Sequence, residues 1–415
     1  VPIAEQSGGL VSALIFACPF KEIFLTVTDH PHKIKVLTLF GTRPEVIKLA
    51  PVIAALEARP EHFTTVNVSS SQHTDLLHPL IRDFQLRLDH DLKVMQPNQT
   101  LSSLSARVLS ALDPILVSEK PDLVIVQGDT TTAFAGAMAA FHRHIPVAHV
   151  EAGLRSGNAL SPFPEEMNRR LISRIAKLHF AATPTNHDTL LHEGISPACV
   201  FLTGNTVIDA LLMMVERAKP SASTLELLQK TNNLDRILLT THRRESFGDR
   251  MSDNLKVLRE FIRSNPQKVL IFPMHPNPSV SGPARELLGD CERIHLIPPL
   301  DYQQFVVMMS KAWIIVSDSG GVQEEAPTLG KALLVLRENT ERSEAVDAGC
   351  AKLVGTPDLL ADALKEALKP DSWTGRVKSI ANPFGNGTAA RQIVDAIART
   401  FGSSVAEPKL ELASV

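Results

Sequence analysis

Residues 312–330 read AWIIVSDSGGVQEEAPTLG. An apolar run of β-type residues stops at Val316. Asp318, Ser319, Gly320 and Gly321 follow, and then a helical pattern with two adjacent carboxylates, Glu324 and Glu325. A buried strand feeding a Ser-Gly-Gly turn into a helix gathers free backbone N–H groups at one point, where the helix dipole adds partial positive charge. That point suits a phosphate, and the glycines let an anion approach the backbone closely. Glu325, one turn into the helix, is placed to meet a neutral hydroxylated group such as a ribose. The same residues also fit a plain strand–helix corner with Ser319 as N-cap.

The pattern around this stretch repeats in both directions. Apolar β-runs lie at 34–40, 63–69, 123–127, 147–151, 178–182 and 200–203, with helical patterns at 44–57, 101–118 and 131–142 between them. A second series of runs lies at 237–241, 269–272, 294–297, 313–317, 332–336 and 352–354, with helical patterns at 254–263, 323–329 and 359–368. The runs are continuously apolar rather than alternating, as parallel strands covered on both faces require. Strands alternating with helices predict an α/β chain of two Rossmann-like, doubly wound domains facing a cleft. The expected division is 34–206 plus about 385–403 for the first domain and 207–384 for the second. The joint falls at the helical pattern 207–218 before a Pro/Ser-rich stretch, and the last helix, 389–401, crosses back. Residues 1–33 are an extension of unknown role.

The composition fits that reading. The chain has 415 residues, 44% hydrophobic and 21% charged, with a formal net charge of −3. Lys and Arg are spread along it, which argues against nucleic acid as the main partner. Its four cysteines, Cys18, Cys199, Cys291 and Cys350, show no CxxC spacing, so reduced thiols in a cytoplasmic protein are expected. No apolar stretch is read as reaching the roughly 18 residues needed for a membrane span. The nearest, 10–20, ends at Lys21 and Glu22 and lacks a basic leader, so no secretory signal is expected.

In open α/β sheets, ligands bind beyond the carboxyl ends of the strands. That rule picks out a short set of residues. Gly41-Thr42-Arg43-Pro44-Glu45 and Lys48 follow the first run. Pro44 suits the first helical position. Arg43 and Lys48 either hold a diphosphate, balance a carboxylate, or are solvated helix charges. Asp129 follows the run 123–127 and is either an N-cap or a chemical group. Glu151 ends a buried strand, where an unpaired charge is expensive. The loop 161–166 delivers Glu165 and Glu166 to a helix carrying Asn168 and Arg169, either as an N-terminal charge device or as a general acid/base. His242, beside Arg243 and Arg244, reads as an anion contact, a proton donor or a surface histidine. GxxxxGK[ST], GxSxG and HExxH motifs are absent, as is GxGxxG after the first strand, so kinase-type phosphate loops, esterases, zincins and standard NAD fingerprints lose support. Carboxylates and bases at strand ends suggest proton-transfer or elimination chemistry on an anionic substrate.

Together these residues resemble the non-hydrolysing UDP-N-acetylglucosamine 2-epimerases. The resemblance runs from about Lys35 to Phe401. It rests on GTRPEVIKLAP at 41–51, QGDTTT at 127–132, HVEAGLRSG at 149–157, PFPEEMNRR at 162–170, TGNTVIDAL at 203–211, HRRESFG at 242–248, SDSGGVQEEAPTLGK at 317–331 and NTERSEA at 339–345. The resemblance implies a B-type glycosyltransferase fold, usually as a homodimer. It implies interconversion of UDP-GlcNAc and UDP-ManNAc for polysaccharide biosynthesis, without metal or nicotinamide. It assigns Arg43, His242, Phe305, Ser319, Gly320, Gly321, Glu325 and Arg342 to the nucleotide, and Lys48, Asp129, Glu151 and Glu165 to the sugar. The implied mechanism eliminates UDP to 2-acetamidoglucal and re-adds it after proton return to the other face of C2. Asp129, Glu151 and Glu165 are expected to carry the protons, and His242 to assist departure of UDP. Gln72, His73 and Gln99 match the region where family members bind a second UDP-GlcNAc as activator. Thr241, Ser343 and Leu300 depart from the family pattern. A hydrolysing 2-epimerase, a glycosyltransferase of the same fold and an inert nucleotide-sugar sensor are the competing readings.

Overall fold

The computed structural model describes residues 33–402 except 73, 242–247 and 276. Two parallel sheets, each flanked by helices, make up the fold among these residues. The first contains β1 (Ile34–Phe40), β2 (Phe63–Ser69), β3 (His90–Asp91), β4 (Leu123–Gln127), β5 (Val147–Ala152), β6 (Leu178–Ala181) and β7 (Val200–Leu202), in the order β3-β2-β1-β4-β5-β6-β7. The second contains β8 (Asp235–Thr240), β9 (Lys268–Pro273), β10 (Ile294–Ile297), β11 (Ile314–Ser317), β12 (Ala332–Val335) and β13 (Ala351–Leu353), in the order β10-β9-β8-β11-β12-β13. Both orders reverse beside their first strand. That leaves a crevice at the carboxyl ends of β1 and β4, and another at those of β8 and β11.

The apolar runs become strands with ends shifted by no more than two residues. The sequence reading misses β3, whose two residues pair with Val68 and Ser69 and offer no apolar run. The helix expected at 254–263 begins earlier, at Asp249, behind Gly248. The helix expected at 323–329 is instead Gly320–Glu325 followed by a tighter turn, Ala326–Leu329. Pro327 has no N–H with which to continue the α-helical ladder. Pro44 is the second residue of the helix Arg43–Glu57, not the first. Against the expectation that no stretch reaches that length, the helix Leu101–Glu119 is long and apolar enough, by length and composition, to cross a membrane. It buries Leu104, Val108, Leu112 and Leu116, spaced four apart on one face. Leu112 and Leu116 pack with Leu37, Val66 and Val124 of the first sheet.

One hydrophobic cluster runs from the first sheet to the second. It joins Val46 and Ile53 of the helix Arg43–Glu57, Val207 and Leu211 of the helix Thr206–Arg217, Val306 and Met309 of the helix Tyr302–Ser310, and Ile393 and Ile397 of the helix Ala389–Gly402. The last of these helices packs on Arg43–Glu57 and β1, so the chain returns to the side from which it began. Asp209 receives it, accepting from the backbone N–H groups of Ala389 at 3.3 Å and Ala390 at 3.0 Å.

The outgoing and returning segments touch. Asn205 N–H donates to the Phe384 carbonyl at 2.7 Å. Gly204 and Gly385 lie so close that a Cβ on Gly204 would stand 3.4 Å from the Gly385 Cα. Both have positive φ, +87° and +134°, which other residues adopt only under strain.

Candidate active site

The first crevice is organised by Glu45, which is fully buried. Its Oε2 accepts from the N–H groups of Gly41 at 2.9 Å and Thr42 at 2.7 Å, and its Oε1 from the Thr130 hydroxyl at 2.6 Å. One carboxylate thus caps the helix Arg43–Glu57 and ties the end of β1 to the end of β4. Burial raises its pKa against those hydrogen bonds. The bland N-cap role open to Asp129 falls to Thr130, whose hydroxyl accepts from Ala133 N–H at 3.0 Å. Asp129 is left facing a cavity of about 380 Å³ at the ends of β1, β4 and β5.

Lys48, Asp129, Glu151, Glu165 and Arg342 all line this cavity. Arg169 Nε donates to Asp129 Oδ2 at 2.7 Å, and Asn168 Nδ2 donates to the Asp129 carbonyl at 2.8 Å. His149, fully buried on β5, donates from Nε2 to the neighbouring Gly128 carbonyl at 2.7 Å. The two carboxylates brought by the loop 161–166 have separate fates. Glu166 is buried and accepts from Ser156 N–H at 2.9 Å, Arg169 at 3.2 Å and Arg170 at 2.9 Å. Glu165, the first residue of the helix Glu165–Ile175, faces the cavity.

Glu151 lies inside β5, one residue before its end, where the register to β6 breaks between Val150 and Ala152. Its φ is +63°, an uncommon conformation for a residue with a side chain. Gln127 Nε2 and the Lys48 ammonium both donate to Glu151 Oε2, the former at 2.7 Å. Lys48 is itself buried, so it is not a solvated helix charge. Its Nζ also lies 3.3 Å from Glu324 Oε2, a carboxylate of the second half. Glu324 Oε1 accepts from Arg342 Nε at 2.7 Å. Burial pushes Glu151 up beyond what Lys48 restores, and the like charge of Glu324 adds to the rise. Burial opposes ionisation of Glu324 too, but Lys48 and Arg342 together hold it below the ordinary carboxylate range. Burial works against the charge on Lys48, and Glu151 and Glu324 outweigh it, leaving its pKa raised. In this setting a buried carboxyl gives up its proton less readily than an exposed one, which suits a group that must both take and return a proton.

Of the residues expected around a nucleotide, Arg342 lines the cavity, and the other described ones are not among its lining residues. The Arg43 guanidinium stands 6.0 Å from the centroid of the Tyr302 ring, and the Tyr302 hydroxyl donates to Glu325 Oε1 at 2.7 Å. Burial pushes Glu325 up to about 7 despite that bond. Phe305, in the next turn, is partly buried against the shared core. Ser319 precedes the helix Gly320–Glu325 and makes no side-chain cap bond. A Cβ on Gly320 would lie 2.8 Å from Arg342 Cζ, so only glycine lets that guanidinium lie against the turn, whereas Gly321 borders open space. His242 lies outside the described residues.

Of the residues matched to an activator region, Gln72 lines the cavity and accepts from the Thr132 hydroxyl at 2.9 Å. Gln99 is turned elsewhere, with its carbonyl oxygen accepting from Arg107 and from Gln96 N–H at 3.2 Å. The structure does not bring it to the cavity with Gln72. His73 lies outside the described residues.

One departure from the family pattern, Thr241, acquires a partner. The Thr241 hydroxyl donates to the buried Asp318 Oδ2 at 2.8 Å, joining the ends of β8 and β11. Arg342, followed by Ser343, is held by Glu324 and by the Thr340 hydroxyl, which accepts from its backbone N–H at 3.1 Å. Leu300 packs against the shared core. Sequence reasoning missed Tyr302, and gave no role to Glu45, Gln127, Arg169, Glu324 or Glu341. Glu324 and Arg169 carry a visible signal, a charge beside a candidate residue, but their partners are remote in the sequence.

The family described as UDP-N-acetylglucosamine 2-epimerase matches residues 54–398. A UDP-N-acetylglucosamine 2-epimerase of Salmonella typhimurium is 44% identical over 370 residues, covering 88% of this chain and 98% of its own. That of Bacillus subtilis is 43% identical over 378 residues, covering 91% and 98%. The crystal structure of the Neisseria meningitidis UDP-GlcNAc 2-epimerase bound to UDP-GlcNAc has a TM-score of 0.81 and 42% identity, covering 88% of this chain and all of that one.

Proposed function

Because the chain belongs to the UDP-N-acetylglucosamine 2-epimerase family, we propose that it interconverts UDP-N-acetylglucosamine and UDP-N-acetylmannosamine without consuming the nucleotide. A base takes the C2 proton while UDP leaves C1, giving 2-acetamidoglucal. A proton returns to the opposite face of C2, and UDP adds back at C1. The observation that carries the proposal is the single cavity walled by Asp129, Glu151 and Glu165 together with Lys48 and Arg342. Elimination needs proton carriers around one sugar ring and cations for the charge developing on the departing diphosphate. In this reading Asp129, Glu151 and Glu165 are the proton carriers. Lys48 and Arg342 bear on the developing charge. Arg43, Phe305, Ser319, Gly320, Gly321 and Glu325 hold the nucleotide, and His242 assists its departure.

The reading extends to organisation. The first domain comprises 34–206 and about 385–403 and the second 207–384, a division supported by the two sheets and by the paired crossings at Asn205 and Phe384. A homodimer, a cytoplasmic location and a second UDP-GlcNAc acting as activator near Gln72 belong to the same proposal. The free thiols of Cys199, Cys291 and Cys350 suit a reducing compartment.

NMR of UDP-GlcNAc with the protein in deuterated buffer is the test. Deuterium should enter C2 of both epimers with no net release of UDP. Release of free UDP in step with product would show hydrolysis instead, and absence of C2 exchange would point to a transferase or a sensor. Asp129→Asn and Glu151→Gln should each lower turnover about 100-fold or more. Wild-type rates in both would remove them from the mechanism.

A further inference from the structure

Glu324 is a buried carboxylate beside the cavity, lining the small gap next to it, and the reaction just proposed gives it no task. It is 3% exposed and comes from the second half of the fold, whereas Lys48 and Glu151 come from the first. Its two oxygens differ. Oε1 accepts from Arg342 Nε at 2.7 Å. Oε2 faces the Lys48 ammonium at 3.3 Å, buried and without a hydrogen bond of regular geometry. Lys48 therefore stands between two carboxylates, hydrogen-bonded to Glu151 and ion-paired with Glu324.

We propose that Glu324 is a positioning residue that divides the Lys48 charge between two carboxylates, so that Glu151 remains able to take up and release a proton. The inference rests on the reading of Glu151 as a proton carrier. A carboxylate given an ammonium to itself in a buried site is locked in its ionised form, because the opposite charge favours it. A second carboxylate on the other side of the same ammonium draws off part of that attraction and adds a like charge nearby. Arg342 keeps the second carboxylate ionised, so the two acids separate into roles: Glu324 holds a fixed charge and Glu151 titrates. The shifts run in those directions, Glu151 raised and Glu324 lowered. The other charged groups bearing on Glu151 are Arg169 of the helix Glu165–Ile175 and Arg342. Asp129 and Glu165 share its cavity, and Glu341 and Glu344 line the small gap beside it with Glu324. Among these, Glu324 alone is placed against Lys48 in an ion pair besides Glu151.

The test is the acid limb of the pH profile of kcat/KM for UDP-GlcNAc. In Glu324→Gln the limb should move to lower pH by about one unit, because Glu151 then keeps the whole of Lys48. Glu324→Asp, which retains the charge but withdraws it, should move the limb the same way by less. A fall in activity with the limb unmoved in either folded variant overturns the proposal and leaves Glu324 a packing residue. Should the variants not fold, carboxyl carbon NMR of the wild-type protein, glutamate-labelled and free of substrate, decides. Glu324 must be ionised over the range in which Glu151 still gains protons, and the reverse order overturns the inference. That titration needs no turnover. If UDP-GlcNAc showed no C2 exchange, the proposed reaction would fall while the charge division was judged independently.

Discussion

Arg169 and Asp129 are joined side chain to side chain, Nε to Oδ2 at 2.7 Å, and the same guanidinium lies 3.2 Å from Glu166 Oε2 and 3.9 Å from Glu341 Oε2. One planar cation thus fixes a proposed proton carrier, anchors the loop before the helix Glu165–Ile175 and faces the second half of the fold. Arg169→Ala leaves Glu166 buried with Arg170 as its remaining cation. It should lower stability to urea by about 3 kcal/mol, the scale for breaking a buried pair. Arg169→Lys keeps a charge but not the fork. It should retain most of the stability while lowering kcat at least tenfold, about 1.4 kcal/mol in the barrier. Equal kcat in Arg169→Lys and wild type would show that the orientation of Asp129 does not depend on the guanidinium.

Gly320→Ala sets a methyl group where Arg342 Cζ stands 2.8 Å away. The guanidinium must retreat, and with it the bond to Glu324. Overpacking of this kind costs about 1–3 kcal/mol. Calorimetric titration should therefore show UDP binding weakened about tenfold or more, with a lower thermal midpoint. Gly321→Ala, which meets open space, should disturb stability far less.

Acid should unfold the protein in part through two buried histidines in register on β5 and β6, His149 and His179. Burial depresses His149 to about 3 and His179 to about 4, against an ordinary value of 6.5. Below pH 6.5 the unfolded chain binds protons that the folded one refuses. Stability is therefore complete above that pH and falls as pH drops toward the folded values. Each histidine contributes a slope of about 1.4 kcal/mol per pH unit within the window. In His179→Gln the urea-unfolding free energy, plotted as a difference from wild type, should rise by that slope between about pH 6 and 4.5. The effects of His149 and Glu325 are common to both proteins and cancel. A flat difference would mean that His179 is protonated in the fold.

Asp209→Ala removes the carboxylate that caps the helix Ala389–Gly402 from 180 residues away. The expected loss is about 1–2 kcal/mol. Amide hydrogen exchange should report it as faster exchange at Ala389 and Ala390 and along the final helix, with the strands of the second sheet unchanged.

The parallel sheets were legible because their strands are buried on both faces and leave unbroken apolar runs, as LVIVQ of β4 does. Glu151 was legible for the related reason that a charge at the end of such a run needs a partner. The partner was not legible, since Lys48 stands 103 residues away on another element. Glu324 and Glu325 are adjacent, yet one faces Lys48 and Arg342 while the other meets Tyr302. Helical geometry turns neighbours to different faces, and only the packing says what each face meets. The pairing of Thr241 with Asp318 was hidden likewise, because it depends on β8 and β11 being neighbours. Gln99 matched by motif, but its amide is committed to Arg107.

On the proposed division of the chain, the twin passages of the backbone at Gly204–Asn205 and Phe384–Gly385 form a single axle. Both links between the halves lie at one place, so a swing of one half about the other must turn there. Asn205 and Phe384 wall the same narrow gap as Glu151, Glu324 and Arg342. Points beside an axle travel least. On that division, an opening at the outer rim would leave the innermost charges nearly in place.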